Sequence, residues 1–244
     1  MRTSLLIIWL FALVFLGNSN IEAATRSGSI LVFSKTAAFR HSSIATGKKV
    51  LMQLILEMGM NADTTEDASI FNDYNSLKKY KCIIFLHTTG DILNNQQEVN
   101  FQQYIQAGGG FVGIHAASDT EYDWPWYGAL VGGYFMNHPA IQNALIKVQD
   151  THHPSTKHLP LEWKRTDEWY NFKMIEPSLH VLLTIDESSY NGGKNGLNHP
   201  MSWYHKFDGG FAWYTALGHT DASYEDPLFL QHLRGGIEWV MRKG

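Results

Sequence analysis

Three continuous apolar runs, each closed by a polar turn, constrain this fold most. They are "SILVFSK" at 29–35, "YKCIIFLHTTGD" at 80–91 and "GFVGIHAASDT" at 110–120. A strand with one wet face alternates apolar and polar residues. A strand that is apolar throughout is buried on both faces. Helical stretches separate the runs. In "SSIATGKKVLMQLILEMG", Val50, Leu51, Leu54, Ile55 and Met58 recur at helical spacing, with Ser42 or Ser43 as the cap and Gly59 as the stop. "NADTTED" reads as a short second strand or a loop. "NNQQEVNFQQYIQAGG" places Val99, Phe101, Tyr104 and Ile105 on one apolar side. Buried strands alternating with helices predict an α/β fold, a mostly parallel sheet covered on both faces.

The pattern changes after Asp119. "YDWPWYGALVGGYFMNHP" is rich in aromatics and glycine, and "ALIKVQD" and "HVLLTID" read as strands. "MSWYHKF" and "FAWYTAL" flank "DGG" as a hairpin. "DPLFLQHLRGGIEWVMRK" is a last helix, capped by Asp226 with Pro227 at its first position. These segments are expected to add antiparallel strands to the sheet and a wall over its end.

No repeat divides the chain, so 25–244 reads as a single domain. Residues 1–24 read as a signal peptide: Arg2, an apolar run at 5–17, then Ile21 and Ala23 before the cleavage point. A bilayer span needs about 20 apolar residues, so the run is too short to serve as an anchor. The expected location is periplasmic or secreted, with no stable membrane anchor. The net charge of -4, without a block of like charges, argues against a nucleic-acid partner.

Parallel sheets bind ligands at the carboxyl ends of their strands. The loops there carry Arg40, His41, Thr88, Thr89, Asp91, His115 and Asp119. Gly113 and Ala117 are small residues two positions either side of His115, as in an elbow that presents a nucleophile. Serine or cysteine is expected at its tip, and histidine stands there. A neutral imidazole can be a base, a donor or a metal ligand, or it can cap the turn and pack. The lone Cys82 lies inside an apolar run, where a buried structural thiol is expected.

"LGHTDASYEDP" puts His219 after a late strand with Asp221 two residues on. That resembles a base and its orienter, and it also suits a polar turn. Glu168 sits beside Trp169 and Tyr170 in "DEWYNF". Aromatic surroundings would raise its pKa and suit it to general-acid work, with the rings stacking on sugar or packing in the core. The chain has 12 His. His41, His115, His138 and His219 fall in loops near the pocket, but none form a His-x-x-x-His pair. Zinc is therefore an alternative and no metal ligand is assigned.

"FRHSSI", "HTTGD", "GGGFVGIHAASD", "HPMSW" and "ALGHT", in that order, resemble the ThuA-like (trehalose-utilisation) domain of the class I glutamine amidotransferase-like superfamily. The resemblance runs from Ser29 to Met241 and implies a flavodoxin-like three-layer sandwich. In amidotransferases the elbow carries cysteine and a His-x-Glu pair completes a triad. Here His115 and the pair His219 and Asp221 occupy those places, so glutaminase activity is not implied. The family is associated with sugar catabolism, including disaccharides oxidised at carbon 3. The expected function is an enzyme acting on a glycoside or 3-keto sugar by histidine acid/base chemistry. The catalytic set is His115, His219, Asp221 and Glu168. The substrate contacts are Arg40, His41, Thr89, Asp91, Asp119, His138, Trp169 and Tyr170. A sugar-binding module without catalysis and a zinc-dependent hydrolase are the alternatives, and a homo-oligomer is compatible with either.

Overall fold

The computed structural model describes residues 28–242, so the expected leader at 1–24 lies outside the described residues. The first half runs β1 (Ser29–Phe33), α1 (Ile44–Glu57), β2 (Asn61–Thr65), α2 (Tyr74–Leu77), β3 (Tyr80–Leu86), α3 (Asn95–Gln106) and β4 (Gly110–Ile114). Then come α4 (Pro125–Val131), β5 (Tyr134–Asn137), β6 (Gln142–Val148), β7 (Glu162–Asp167), β8 (Asn171–Lys173) and β9 (His180–Ile185). The hairpin β10 (Pro200–Phe207) and β11 (Gly210–Thr215) leads to α5 (Pro227–Val240).

The main sheet has 9 strands in the order β2-β1-β3-β4-β11-β10-β9-β6-β7. From β2 to β11 neighbours pair in parallel, and from β11 onward they pair antiparallel. The expected sandwich is therefore present, with the antiparallel half contributed by the second half of the chain. β11 returns beside β4, pairing Trp213 with Val112 and Thr215 with Ile114. That one pairing sets the carboxyl ends of β4 and β11 side by side in the middle of the sheet.

Side-chain chemistry explains the layers. β1, β3 and β4 are buried nearly throughout, as their unbroken apolar runs require. On one face Phe85 and Phe111 pack on Phe101 of α3 and Tyr127 of α4. On the other, α1 and α5 pack against each other, and Trp213 meets His232 of α5. α3 is closed by a capping box between Asn94 and Gln97. Its exposed side includes Val99, which the periodicity had placed among the apolar positions. Asp226 caps α5 through Leu228 N–H, as expected. Ser43 precedes α1 without capping it: its hydroxyl donates to the His219 carbonyl at 2.7 Å.

β5 and β8 form a separate two-stranded sheet. It is the expected wall, and the segments beside it carry His138 and the stretch from Glu168 to Tyr170.

Candidate active site

Four adjacent parallel strands, β1, β3, β4 and β11, end in loops that each carry a histidine. His41 follows β1, His87 follows β3, His115 follows β4 and His219 follows β11. The antiparallel half adds Glu168, just past β7, and the separate two-stranded sheet adds His138, just past β5. Ring or carboxylate atoms of His41, His115, Glu168 and His219 all lie within 4.8 Å of one another.

His115 is built as an elbow. Its φ is 52°, in the left-handed region that side chains avoid, and His87 at the equivalent strand end shares that φ of 52°. Such a backbone costs roughly 1–3 kcal/mol and persists only where its surroundings hold it. Tyr214 Oη donates to the His115 carbonyl at 2.7 Å, and Ser118 Oγ bonds the same hydroxyl at 2.9 Å. The small neighbours are required sterically. A Cβ on Gly113 would sit 2.9 Å from the Tyr214 ring and 3.2 Å from the Ala117 methyl. The helix after the elbow is one short 3-10 turn, His115–Ser118.

His115 is fully buried against the Tyr170 ring, with centroids 4.2 Å apart. Its Nδ1 lies 2.6 Å from the Ala216 carbonyl oxygen. A carbonyl only accepts, so Nδ1 carries a proton and donates. Nε2 then faces His219 Nδ1 at 3.1 Å and Glu168 Oε2 at 3.4 Å. His219 Nδ1 is itself 3.0 Å from Glu168 Oε2. The other carboxylate oxygen, Oε1, is 3.0 Å from Nδ1 of His138, whose side chain is 42% exposed. Glu168 therefore joins one fully buried imidazole, His115, and one half-buried, His219, to a third that reaches solvent.

Burial alone would raise the Glu168 pKa, as its aromatic neighbours suggested. Burial is the largest single influence, but the hydrogen bonds and charges of His115 and His219 together outweigh it and hold the carboxyl well below the usual carboxylate range. Glu168 is thus an ionised acceptor in this state, not a stored acid. Burial first, then the charges of His115 and His219, push His41 down to about 3. Burial also holds His87 well below the ordinary histidine value. His41 stacks on His87 at 4.8 Å, and its buried Nδ1 has no hydrogen-bond partner.

The backbone carrying His219 is anchored from a distance. Asp167, fully buried at the end of β7, accepts from Gly218 N–H at 2.9 Å and His219 N–H at 3.0 Å. Gly218 has φ 107°, which lets the chain turn sharply into the site. Arg165 donates to Asp167 at 3.0 Å and lies between the Trp163 and Phe229 rings.

The expected site residues separate into two groups. His41, His115, Glu168 and His219 converge, with His138 and Tyr170 touching them. The others lie outside that cluster. Asp221 is exposed at the start of a 3-10 turn, with no hydrogen bond or ion pair to His219 among the described residues. Arg40 pairs with Glu66 at 2.8 Å on the surface. Thr89 donates to the Phe39 carbonyl, and Asp119 accepts from Tyr122. Asp91 lines a neighbouring cleft with Glu121 and Tyr122. Trp169 is fully buried, and its indole N–H goes to the Gln142 carbonyl, so its role here is packing. Sequence reasoning missed Asp167 and Arg165. "RTDEW" offered alternation in β7 as the only sign that both face inward. It also missed Phe39, 64% exposed and edge-on to His41 at 4.8 Å.

An open α/β sandwich with a strained elbow after β4, and histidine where a thiol would stand, defines a glutamine amidotransferase-like fold without its nucleophile. The chain belongs to the ThuA family, described as trehalose utilisation, which matches residues 29–240. This places it in carbohydrate metabolism. A ThuA-like protein from Bacteroides uniformis is 26% identical, with a TM-score of 0.75 over 91% of this chain and 94% of that one. One from Parabacteroides merdae is 22% identical, with a TM-score of 0.70 over 88% and 90%. The fold also occurs within a beta-galactosidase from Bacillus circulans, at 13% identity and a TM-score of 0.57, over 89% of this chain and 31% of that one. No curated protein sequence matches the chain.

Proposed function

We propose that this chain is an exported enzyme of carbohydrate breakdown, acting on a glycoside whose sugar carries a ketone at carbon 3. The observation behind this is the convergence of His115, His219 and Glu168 within 3.4 Å at the carboxyl end of a parallel sheet. The elbow has no serine or cysteine, so the chemistry proceeds without an acyl or glycosyl intermediate on that residue. The apolar run at 5–17 supports export.

A carbonyl at carbon 3 acidifies the hydrogen on carbon 2. A base in the cluster removes that proton, and negative charge develops on the ketone oxygen. The C–H electron pair becomes a carbon–carbon double bond between carbons 1 and 2. The bond from carbon 1 to the glycosidic oxygen breaks, and that oxygen takes up a proton. The products are an unsaturated keto sugar and a free alcohol, with no oxidant or reductant consumed. The site needs a group that polarises the ketone and one that moves protons, and the cluster offers both. The exposed Phe39 ring supplies a flat apolar face beside it.

The test is incubation of the purified chain with 3-keto-trehalose and with unmodified trehalose. Turnover is expected only of the keto form, falling by about 10²-fold or more in His115→Ala. Equal turnover by the variant, or release of sugar from unmodified trehalose alone, would contradict the reading.

A further inference from the structure

The three atoms that meet at the centre of this site, His115 Nε2, His219 Nδ1 and Glu168 Oε2, can each offer a lone pair when both rings are neutral. His115 Nδ1 is committed to the Ala216 carbonyl, so with a neutral ring its Nε2 presents a lone pair. Glu168 Oε2 is a carboxylate oxygen. A proton on His219 Nδ1 can go to one of these two neighbours and not to both. The edges of the triangle are 3.1 Å, 3.0 Å and 3.4 Å. Atoms bound at about 2.0–2.1 Å to one tetrahedral cation are spaced about 3.4 Å apart. The triangle is therefore close to the size that such an ion requires.

We propose that His115 Nε2, His219 Nδ1 and Glu168 Oε2 form a site for one divalent transition-metal cation. Two imidazoles and one carboxylate suit zinc, iron(II) or their neighbours. Magnesium and calcium favour all-oxygen sets. Three protein ligands leave a position open, as catalytic rather than structural sites do. His41 borders it, with a buried Nδ1 that has no partner. The surroundings match a metal site in a second respect. Metal-bound histidines donate their other N–H to a carbonyl or carboxylate, as His115 does to Ala216.

This inference rests on the functional reading above and divides its labour. The cation, when bound, supplies Lewis acidity toward a sugar oxygen. His115 and His219 are then ligands, and proton movement falls to His138. Its ring meets the carboxylate through Oε1, the oxygen that the triangle does not use.

The experiment uses the full chain without a histidine tag, dialysed against chelator and titrated with zinc(II), cobalt(II) and manganese(II) by calorimetry. Elemental analysis of the protein as purified and the cobalt(II) visible spectrum accompany it. One ion per chain is expected, with tetrahedral cobalt bands. Glu168→Gln and His219→Asn are each expected to weaken binding at least ~10-fold, and His138→Asn, which removes the partner of Glu168 Oε1, to weaken it less than either. Circular dichroism checks that the variants fold. No saturable binding of any of the three ions by the wild-type chain would overturn the proposal. So would affinity unchanged by both ligand variants. The two readings fail separately. Stoichiometric metal without keto-sugar turnover removes the function and keeps the site. Full turnover by a chain that binds no metal removes the site and keeps the function.

Discussion

At the residue scale, the cluster depends on residues that lie outside it. His219 points inward because Asp167 holds the N–H groups of Gly218 and His219, and Arg165 holds Asp167. Asp167→Asn leaves the size unchanged but removes the charge that balances a buried guanidinium. Breaking a buried pair this way costs about 3–5 kcal/mol. The expected result is a lower denaturation midpoint together with loss of turnover. A midpoint within error of wild type would show that Arg165 is balanced elsewhere, for instance by Asp226 at 3.7 Å. This anchoring was illegible in the sequence because it spans 52 positions from Asp167 to His219. The His-x-acid spacing suggested Asp221 instead, since a neighbour in sequence is all that spacing can report. His115 was legible because an elbow needs small residues at fixed offsets, and Gly113 and Ala117 show them.

At the scale of elements, burial on both faces made β1, β3 and β4 readable, because continuous apolar runs have few other destinations. The hairpin β10–β11 was readable from its Asp-Gly turn. The pairing of β11 with β4 was not, and that pairing joins the two halves of the site. The interface of β11 with α5 carries its own pH dependence. His232 is fully buried there, with Nδ1 donating to the Ser155 carbonyl at 2.7 Å and Nε2 near Thr215 Oγ1 at 3.2 Å. Burial pushes it down to about 3, and nearby His158, His153 and Arg165 act in the same direction. The folded state therefore refuses a proton that the unfolded chain accepts. Stability is full above about pH 6.5 and falls as pH drops toward 3, by up to ~1.4 kcal/mol per pH unit for this group. Denaturant midpoints at pH 7 and pH 5 check this. His232→Asn is expected to be less stable at pH 7 but to lose less between the two. An unchanged pH slope would assign the acid sensitivity to other buried histidines.

At the scale of the whole molecule, the parallel strands supply His41, His115 and His219, the antiparallel half supplies Glu168, and the separate two-stranded sheet supplies His138. Neither half contains a complete site. The fold class could be read from strand character alone. The site's membership could not, because Glu168 reaches the cluster only after β6 and β7 are added at the far edge of the sheet. The same architecture sets a histidine at the strained elbow after β4. The elbow strain is kept, and the group at its tip faces a second imidazole across a carboxylate. The claim that this cluster removes a proton from carbon next to a ketone is tested most directly by NMR in deuterium oxide. A 3-keto-disaccharide is followed with wild-type chain, with His115→Ala and in buffer alone. The expected result is loss of the carbon-2 proton signal, by exchange or elimination, much faster with wild type than in either control. Rates with wild type equal to those of the variant or of buffer would contradict it.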